Sequence, residues 1–415
     1  MTHTLTPQER DAVAYLWSPR AIRERCGLVF EFACEARLQH FAYVPARLDE
    51  AATYVIEVMR ESYPTLDMPL HSRWRHFNVG AVDRVAWFEA QIASLDPAEQ
   101  ARCRFDLAIT SVLLDAGAGA QWSYHEAETH QTYSRSEGLA VASFHMFVRG
   151  AFSSHADQPL RADALGLTHI TEAALAEALQ VSASNPLLGL RGRVALLHAL
   201  GGVVRSLPDY FGTATPRLGN LFDYLRTQAP HGVLGADAIL GAVLASLSAI
   251  WPGRLTLGGV NLGDVWRHAQ VGGDGLSQGL IPFHKLSQWL TYSLIEPLAQ
   301  AGLTVTGLDQ LTALAEYRNG GLLLDLGVLV PKHADVWQQQ YTPDAAVIVE
   351  WRALTVALLD ILAERVRQRL GYTTSQLPLV KLLEGGTWRA GRKIARARRP
   401  DGGSPLQLIS DGTVW

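Results

Sequence analysis

Over most of the chain, apolar residues return every three or four positions, the spacing that lines one face of an α-helix. The segment 47–62 (RLDEAATYVIEVMRES) places Ala51, Tyr54, Val55, Val58 and Met59 on one such face, and Pro64 follows its end. Ser18-Pro19 forms an N-cap and first-turn pair for a further helix. The stretch 172–179 (EAALAEAL) consists of strong helix formers, and 193–207 (RVALLHALGGVVRSL) keeps helical spacing through a glycine pair. The longest periodic run, 347–370, stops before Gly371. Strand patterns are few and short. The segment 254–260 (RLTLGGV) is one, 321–330 (GLLLDLGVLV) fits either a helix or a buried strand, and the glycine-rich 272–279 is a loop. The pattern predicts a mainly α protein with a few short strands at most. No repeat or low-complexity linker divides it. The expected organisation is an N-terminal helical lobe over 1–110 and a main helical region over 111–415, or one continuous domain.

Composition narrows the class. The 415 residues are 48% hydrophobic and 18% charged, enough to bury a large core. Lys plus Arg total 36 against 40 Asp plus Glu, and a net charge of -4 argues against a chain built to coat nucleic acid or an acidic membrane. The three cysteines, Cys26, Cys34 and Cys103, form no CxxC pair, which fits a reducing, cytoplasmic compartment. The first ten residues carry no apolar signal region. The longest apolar stretch, 233–251, contains Asp237, Gly241, Ser246 and Ser248 before Pro252-Gly253, and reads as a buried helix rather than a membrane span. No P-loop, dinucleotide fingerprint, Ser-His-Asp order or histidine-rich cluster is present, so neither metal nor cofactor is expected.

Five segments concentrate chemistry. The densest lies between 282 and 327. Pro282-Phe283-His284-Lys285 opens an apolar helix, where Lys285 and helix N–H groups together suit an anion. Glu316-Tyr317-Arg318-Asn319 then puts acid, phenol, guanidinium and amide before two glycines; a helix C-cap with exposed charges is the simpler alternative. In the second, Asp115 and its glycines lead to Trp122 and Tyr124, which suits a pocket rim or an ordinary Gly-rich helix end with core aromatics. The third, Tyr133 to Gly138, offers Arg135 as an anion clamp and Glu137 as acid or base, although Ser134 and Glu137 also have capping-box spacing. The fourth, 71–77 (HSRWRHF), fits an anion site or a surface structural patch; its two histidines, five apart, do not share a helical face. The fifth, 388–399 (WRAGRKIARARR), reads as a solvated basic helix or tail.

Strings spread in order along the chain resemble the uracil catabolism protein 4 family of fungi and bacteria. They include HSRWRHF (71–77), LLDAGAGAQWSY (113–124), YSRSEGLAVASFHMF (133–147), NPLLGLRGRVALL (185–197), IPFHKLSQWLTYSLIEPL (281–298), LAEYRNGGLLLDLGVL (314–329) and EGGTWRAGR (384–392). The resemblance implies a role in uracil degradation after ring opening, where the opened pyrimidine remains on ribose as a ribosylurea. A more distant likeness joins Phe283 to Gln288 and Ala315 to Arg318 to the helical, metal-free queuosine-salvage N-glycosylases, which resemble DNA glycosylases in fold. Here Glu316 stands where that family has a catalytic aspartate, and His284 where it has tyrosine. The family's Asp-x-Leu-Asn-Phe string becomes Asp115-Ala-Gly-Ala-Gly, which implies a different leaving group.

The likeness implies an N-ribosyl hydrolase acting on a small ribosyl substrate, with or without a 5-phosphate, and without nucleic-acid or membrane partners. Glu316 would stabilise an oxocarbenium-like centre at C1. Asp115 or Glu137 would meet the ureido group, and Lys285 with Arg318 or Arg135 would hold phosphate. Tyr317, Trp122 and His284 would complete the binding surface. The competing class is a non-catalytic ligand-binding or assembly protein of the same pathway.

Overall fold

The computed structural model describes residues 5–252, 254–273 and 275–409; Gly253, and Asp274 within the 272–279 loop, lie outside the described residues. The chain is mainly helical, 58% helix against 9% strand. Its contacts divide it into two compact units that interleave in sequence: 5–71, 254–288 and 307–409 form the first, and 72–252 with 289–306 the second. The Pro97–Leu113 helix runs across residue 110.

The first unit is organised on the Ala346–Leu370 helix, which packs against Pro19–Cys34 and Leu48–Ser62. This central helix is buried around most of its circumference, including Glu350 and Arg352, which explains why its pattern lacks a clear polar face. The helix ends where the sequence predicts, before Gly371, which takes a left-handed conformation. Ser18 caps Pro19–Cys34 by accepting the Ala21 N–H, with Pro19 in the first turn. The ambiguous 321–330 stretch divides between both readings: it finishes the Tyr317–Asp325 helix and then forms Leu329–Pro331, antiparallel to Phe41–Tyr43. The 254–260 strand becomes a small hairpin, Thr256–Leu257 against Val260–Asn261. Val265–Arg267 pairs antiparallel with Leu280–Pro282.

The basic run 388–399 is corrected by the structure. It forms the Trp388–Arg398 helix with Trp388, Ala390, Gly391, Ile394 and Ala395 buried. None of its arginines and lysine is buried, and most occupy the other face, so the charge count concealed an amphipathic core helix. Gly391 is required at its contact with Tyr317–Asp325, because a Cβ there would run into the Arg318 carbonyl.

In the second unit, Pro97–Leu113 is capped by Asp96 and packs with Arg135–Val148. Leu190–Ser206 packs on Ala164–Thr168, and Ala236–Leu247 contributes a further apolar helix. The apolar stretch 233–251 thus begins as the Val233–Gly235 strand, parallel to Thr304–Thr306, and then becomes helix. No helix among the described residues is long and apolar enough to cross a membrane. Strands among the described residues pair only two at a time.

Candidate functional site

Glu316 terminates a buried run, Leu311 to Ala315, in extended conformation and caps the Tyr317–Asp325 helix. Its carboxylate accepts the N–H of Asn319 at 2.7 Å and of Arg318 at 2.9 Å. The first amides of a helix have no internal partners and concentrate positive potential, so a carboxylate is favoured there. Glu316 is nevertheless buried, not an exposed cap.

Arg318 is 7% exposed. Its guanidinium carbon lies 5.2 Å from the Tyr317 ring centre and 5.1 Å from that of Trp388. It makes no side-chain hydrogen bond or ion pair with a described residue. Two ring faces orient the cation without neutralising it, and a buried guanidinium lacking an acid is a ready receptor for an anion.

Trp388 reaches this position through a π-helical turn, Leu383–Thr387, between the Leu379–Leu382 and Trp388–Arg398 helices. Such widened turns recur at functional sites. Gly385 and Gly386 lie so close to Met68 and Val55 that a side chain at either would collide. The turn buries Glu384, whose carboxylate meets His71 Nδ1 at 2.8 Å, the Arg389 guanidinium at 2.8 Å and the Tyr63 hydroxyl at 3.3 Å. His71 lies 5.6 Å, ring to ring, from Trp388. Sequence reading missed Glu384, His71 and Trp388 as a group. The available signal was an acid followed by Gly-Gly-Thr-Trp; the periodicity of the basic helix hid it.

The Pro282-Phe283-His284-Lys285 segment is built around an internal ion pair. Asp264 receives Arg352 through two bonds of 2.7 Å, the Trp266 indole N–H at 2.6 Å and the Lys285 backbone N–H at 3.0 Å. Burial raises the Asp264 carboxyl, but the Arg352 charge and these hydrogen bonds more than reverse it, to well below the usual carboxylate range. The protein's own carboxylate therefore takes the amide at the start of the Lys285–Gln300 helix. His284 is buried with a left-handed backbone (φ 45°), and its Nε2 donates to the Leu16 carbonyl. Burial lowers its pKa, keeping the ring neutral. Strain of this kind in a non-glycine residue is held by surrounding structure.

The second unit brings together Asp115, Arg73, Ser136 and His76. Arg73, fully buried, lies 3.0 Å from Asp115 Oδ1 and donates to Ser111 Oγ at 2.7 Å. Ser136 donates to Asp115 Oδ2 at 2.7 Å and lies 3.1 Å from His76 Nδ1. Arg193 fixes the glycine-rich turn by donating to the Leu114, Ala116 and Gly117 carbonyls. The 71–77 string is thus buried rather than a surface patch. Arg135 opens its helix with φ 56°, and Ser134 makes no side-chain cap, so the predicted capping box with Glu137 is absent. Trp122 is 1% exposed and donates its indole N–H to the Leu179 carbonyl at 2.9 Å, so it supports the wall and offers no face to a ligand. Asp115, Glu137, Arg135 and Trp122 belong to this unit, whereas Lys285, His284, Glu316, Tyr317 and Arg318 belong to the first.

Among the described residues, Glu126, Glu128 and His145 could offer metal ligands within 4.8 Å of one another. Glu126, however, already accepts the Arg84 guanidinium on both oxygens and lies 2.7 Å from His145. A fixed cation thus fills the role a metal would take.

A family model described as a protein of unknown function, DUF1688, matches residues 15–415. The chain is 37% identical over 437 aligned residues to "Uracil catabolism protein 4" of Lachancea kluyveri, spanning 97% of this chain and 99% of that protein. It is 38% identical over 417 aligned residues to "Protein urg3" of Schizosaccharomyces pombe, spanning 98% and 99%. All the clusters above fall within the matched region.

Proposed function

The chain belongs to the DUF1688 family, and from that premise we propose that it is an N-ribosyl hydrolase of pyrimidine catabolism, releasing urea from ribosylurea or ribosylurea 5-phosphate. The relative named for uracil catabolism supports the pathway. The observation that carries the reaction is the juxtaposition of Glu316 with Arg318. A buried carboxylate and a buried guanidinium without an ion-pair partner among the described residues stand two residues apart on one helix end.

Cleavage of an N-ribosyl bond builds positive charge at C1 and the ring oxygen, and Glu316 would stabilise it. Its helix-capping bonds hold the carboxylate in one rotamer, which is the preorganisation this role requires. Arg318, clamped between Tyr317 and Trp388, would hold the 5-phosphate. The likeness in fold to the queuosine-salvage N-glycosylases is part of the same proposal.

A second reading, a ligand-binding protein without turnover, draws on the fact that both Glu316 oxygens already serve the helix. One assay separates the two. Purified protein is incubated with ribosylurea and with its 5-phosphate, and free urea is measured. Urea from either substrate supports the hydrolase. Binding without urea supports the second reading, and urea from neither substrate with folded protein removes the first.

A further inference from the structure

The second unit contains a polar cleft of about 450 Å³ that includes none of the residues around Glu316. Arg102, Arg161, Arg217, Tyr210 and Tyr224 are on its wall. Two of these arginines are matched by acids. Arg102 takes Asp223 through bonds of 2.7 and 3.0 Å and Glu99 at 3.0 Å. Arg217 is held by Asp106 and Glu99, and Asp106 also accepts the Gly219 N–H at 2.5 Å.

Arg161 differs. It is 8% exposed, and its one side-chain hydrogen bond runs from Nη1 to the neutral Gln158 Oε1 at 2.6 Å. Its Nε is buried with no hydrogen-bond partner, and no described carboxylate is in ion-pair range. A guanidinium offers five donors, so leaving most of them unmatched at this depth is costly. On the same wall the Tyr210 and Tyr224 rings stand 4.4 Å apart, centre to centre. Burial, with the Tyr224 hydrogen bond adding to it, pushes the Tyr210 phenol up to about 12, so it remains a neutral donor at physiological pH.

We propose that this cleft is a second ligand site, which binds a small planar carboxylate, with Arg161 taking the carboxylate and the Tyr210–Tyr224 pair the ring. Charge selects a single negative group. Glu99, Asp209 and Asp223 also line the cleft, and their carboxylates repel a doubly charged phosphate more than a monoanion. A ligand here would act apart from Arg318, since it contacts none of the residues around Glu316.

The test is isothermal titration of the full chain at low ionic strength with three probes: benzoate, its uncharged isostere benzamide, and inorganic phosphate. Benzoate is expected to bind in the millimolar range or tighter, with benzamide weaker, and with phosphate weaker once Arg318→Gln has removed the other proposed anion receptor. Arg161→Gln is expected to weaken benzoate by about tenfold, the size of one lost charge-assisted bond, while Arg318→Gln leaves it unchanged. Arg161→Lys, which keeps the positive charge, guards against a folding defect and should fall between wild type and Arg161→Gln. Tyr224→Leu should weaken benzoate several-fold without moving phosphate. Failure of wild type to bind benzoate, or equal affinity in wild type and Arg161→Gln, overturns the site. Binding of benzamide equal to that of benzoate, or equal binding of phosphate by the Arg318→Gln protein, which lacks the other proposed anion receptor, overturns the ligand class.

Discussion

Glu316 has a structural task and a proposed chemical one, and substitutions there can separate them. Glu316→Gln keeps one amide-accepting oxygen but turns an NH2 group toward the second backbone N–H, and it removes the charge. Losing an N-cap costs roughly 0.5–2 kcal/mol, and losing a negative charge at a helix start about 0.3–1 kcal/mol more. The two bonds of 2.7 and 2.9 Å place this cap among well-formed ones, so the upper half of that range applies. The expected loss of stability is about 2 kcal/mol, which leaves the chain folded at room temperature. Loss of a charge aimed at an oxocarbenium centre is a larger effect. Removing one such preorganised group lowers turnover by roughly a hundred- to a thousandfold. Glu316→Ser sharpens the comparison, because serine is a good N-cap without a carboxylate. It should recover much of the stability and none of the activity. The assays are urea denaturation followed by circular dichroism and urea release per mole of folded protein. If either variant keeps more than about a tenth of wild-type turnover, less than 1.4 kcal/mol of barrier is lost and Glu316 is not the group at C1.

Arg318→Gln should raise KM for ribosylurea 5-phosphate by about tenfold or more while changing that for ribosylurea little; equal effects would place the phosphate elsewhere. Asp264→Asn removes the buried negative charge that Arg352 meets through two bonds of 2.7 Å, and should cost about 3–5 kcal/mol in denaturant titration. Because the folded Asp264 pKa is depressed, that stability is present above the ordinary carboxylate pKa and is lost as pH falls, so wild type and variant should converge in acid. Glu126 follows the same sign. Burial raises its carboxyl, and hydrogen bonds from Arg84, Thr129 and His145 bring it down to about 2, so Glu126→Gln should flatten the acid limb of stability between about pH 4.5 and about pH 2. Gly391→Ala should destabilise by about 1–3 kcal/mol through collision with the Arg318 carbonyl, and disturb Arg318 binding, as melting curves and phosphate-dependent KM would register.

Much of the helical framework was legible locally. The 47–62 face, the Ser18-Pro19 cap and the stop at Gly371 each follow from residues within a few positions of one another, because helix formation and capping are short-range events. The dense acid–phenol–guanidinium cluster at Glu316 to Arg318 was visible for the same reason. The capping alternative is a C-cap with exposed charges, whereas the structure makes Glu316 a buried N-cap that starts the Tyr317–Asp325 helix. The basic helix at Trp388 was misread because charge counting does not reveal which face a helix buries.

What the amino-acid order alone determined, then, was where helices start and stop and which short strings hold reactive groups together. Only the tertiary structure decided the partners. Asp264 and Arg352 lie 88 residues apart in sequence, and His71 and Glu384 lie 313 apart. Nothing local marks Trp388 as the ring over Arg318, or Arg161 as the cleft arginine without an acid. An unpaired buried charge is defined by what surrounds it after folding, and those surroundings come from distant segments whose contacts no short-range pattern encodes.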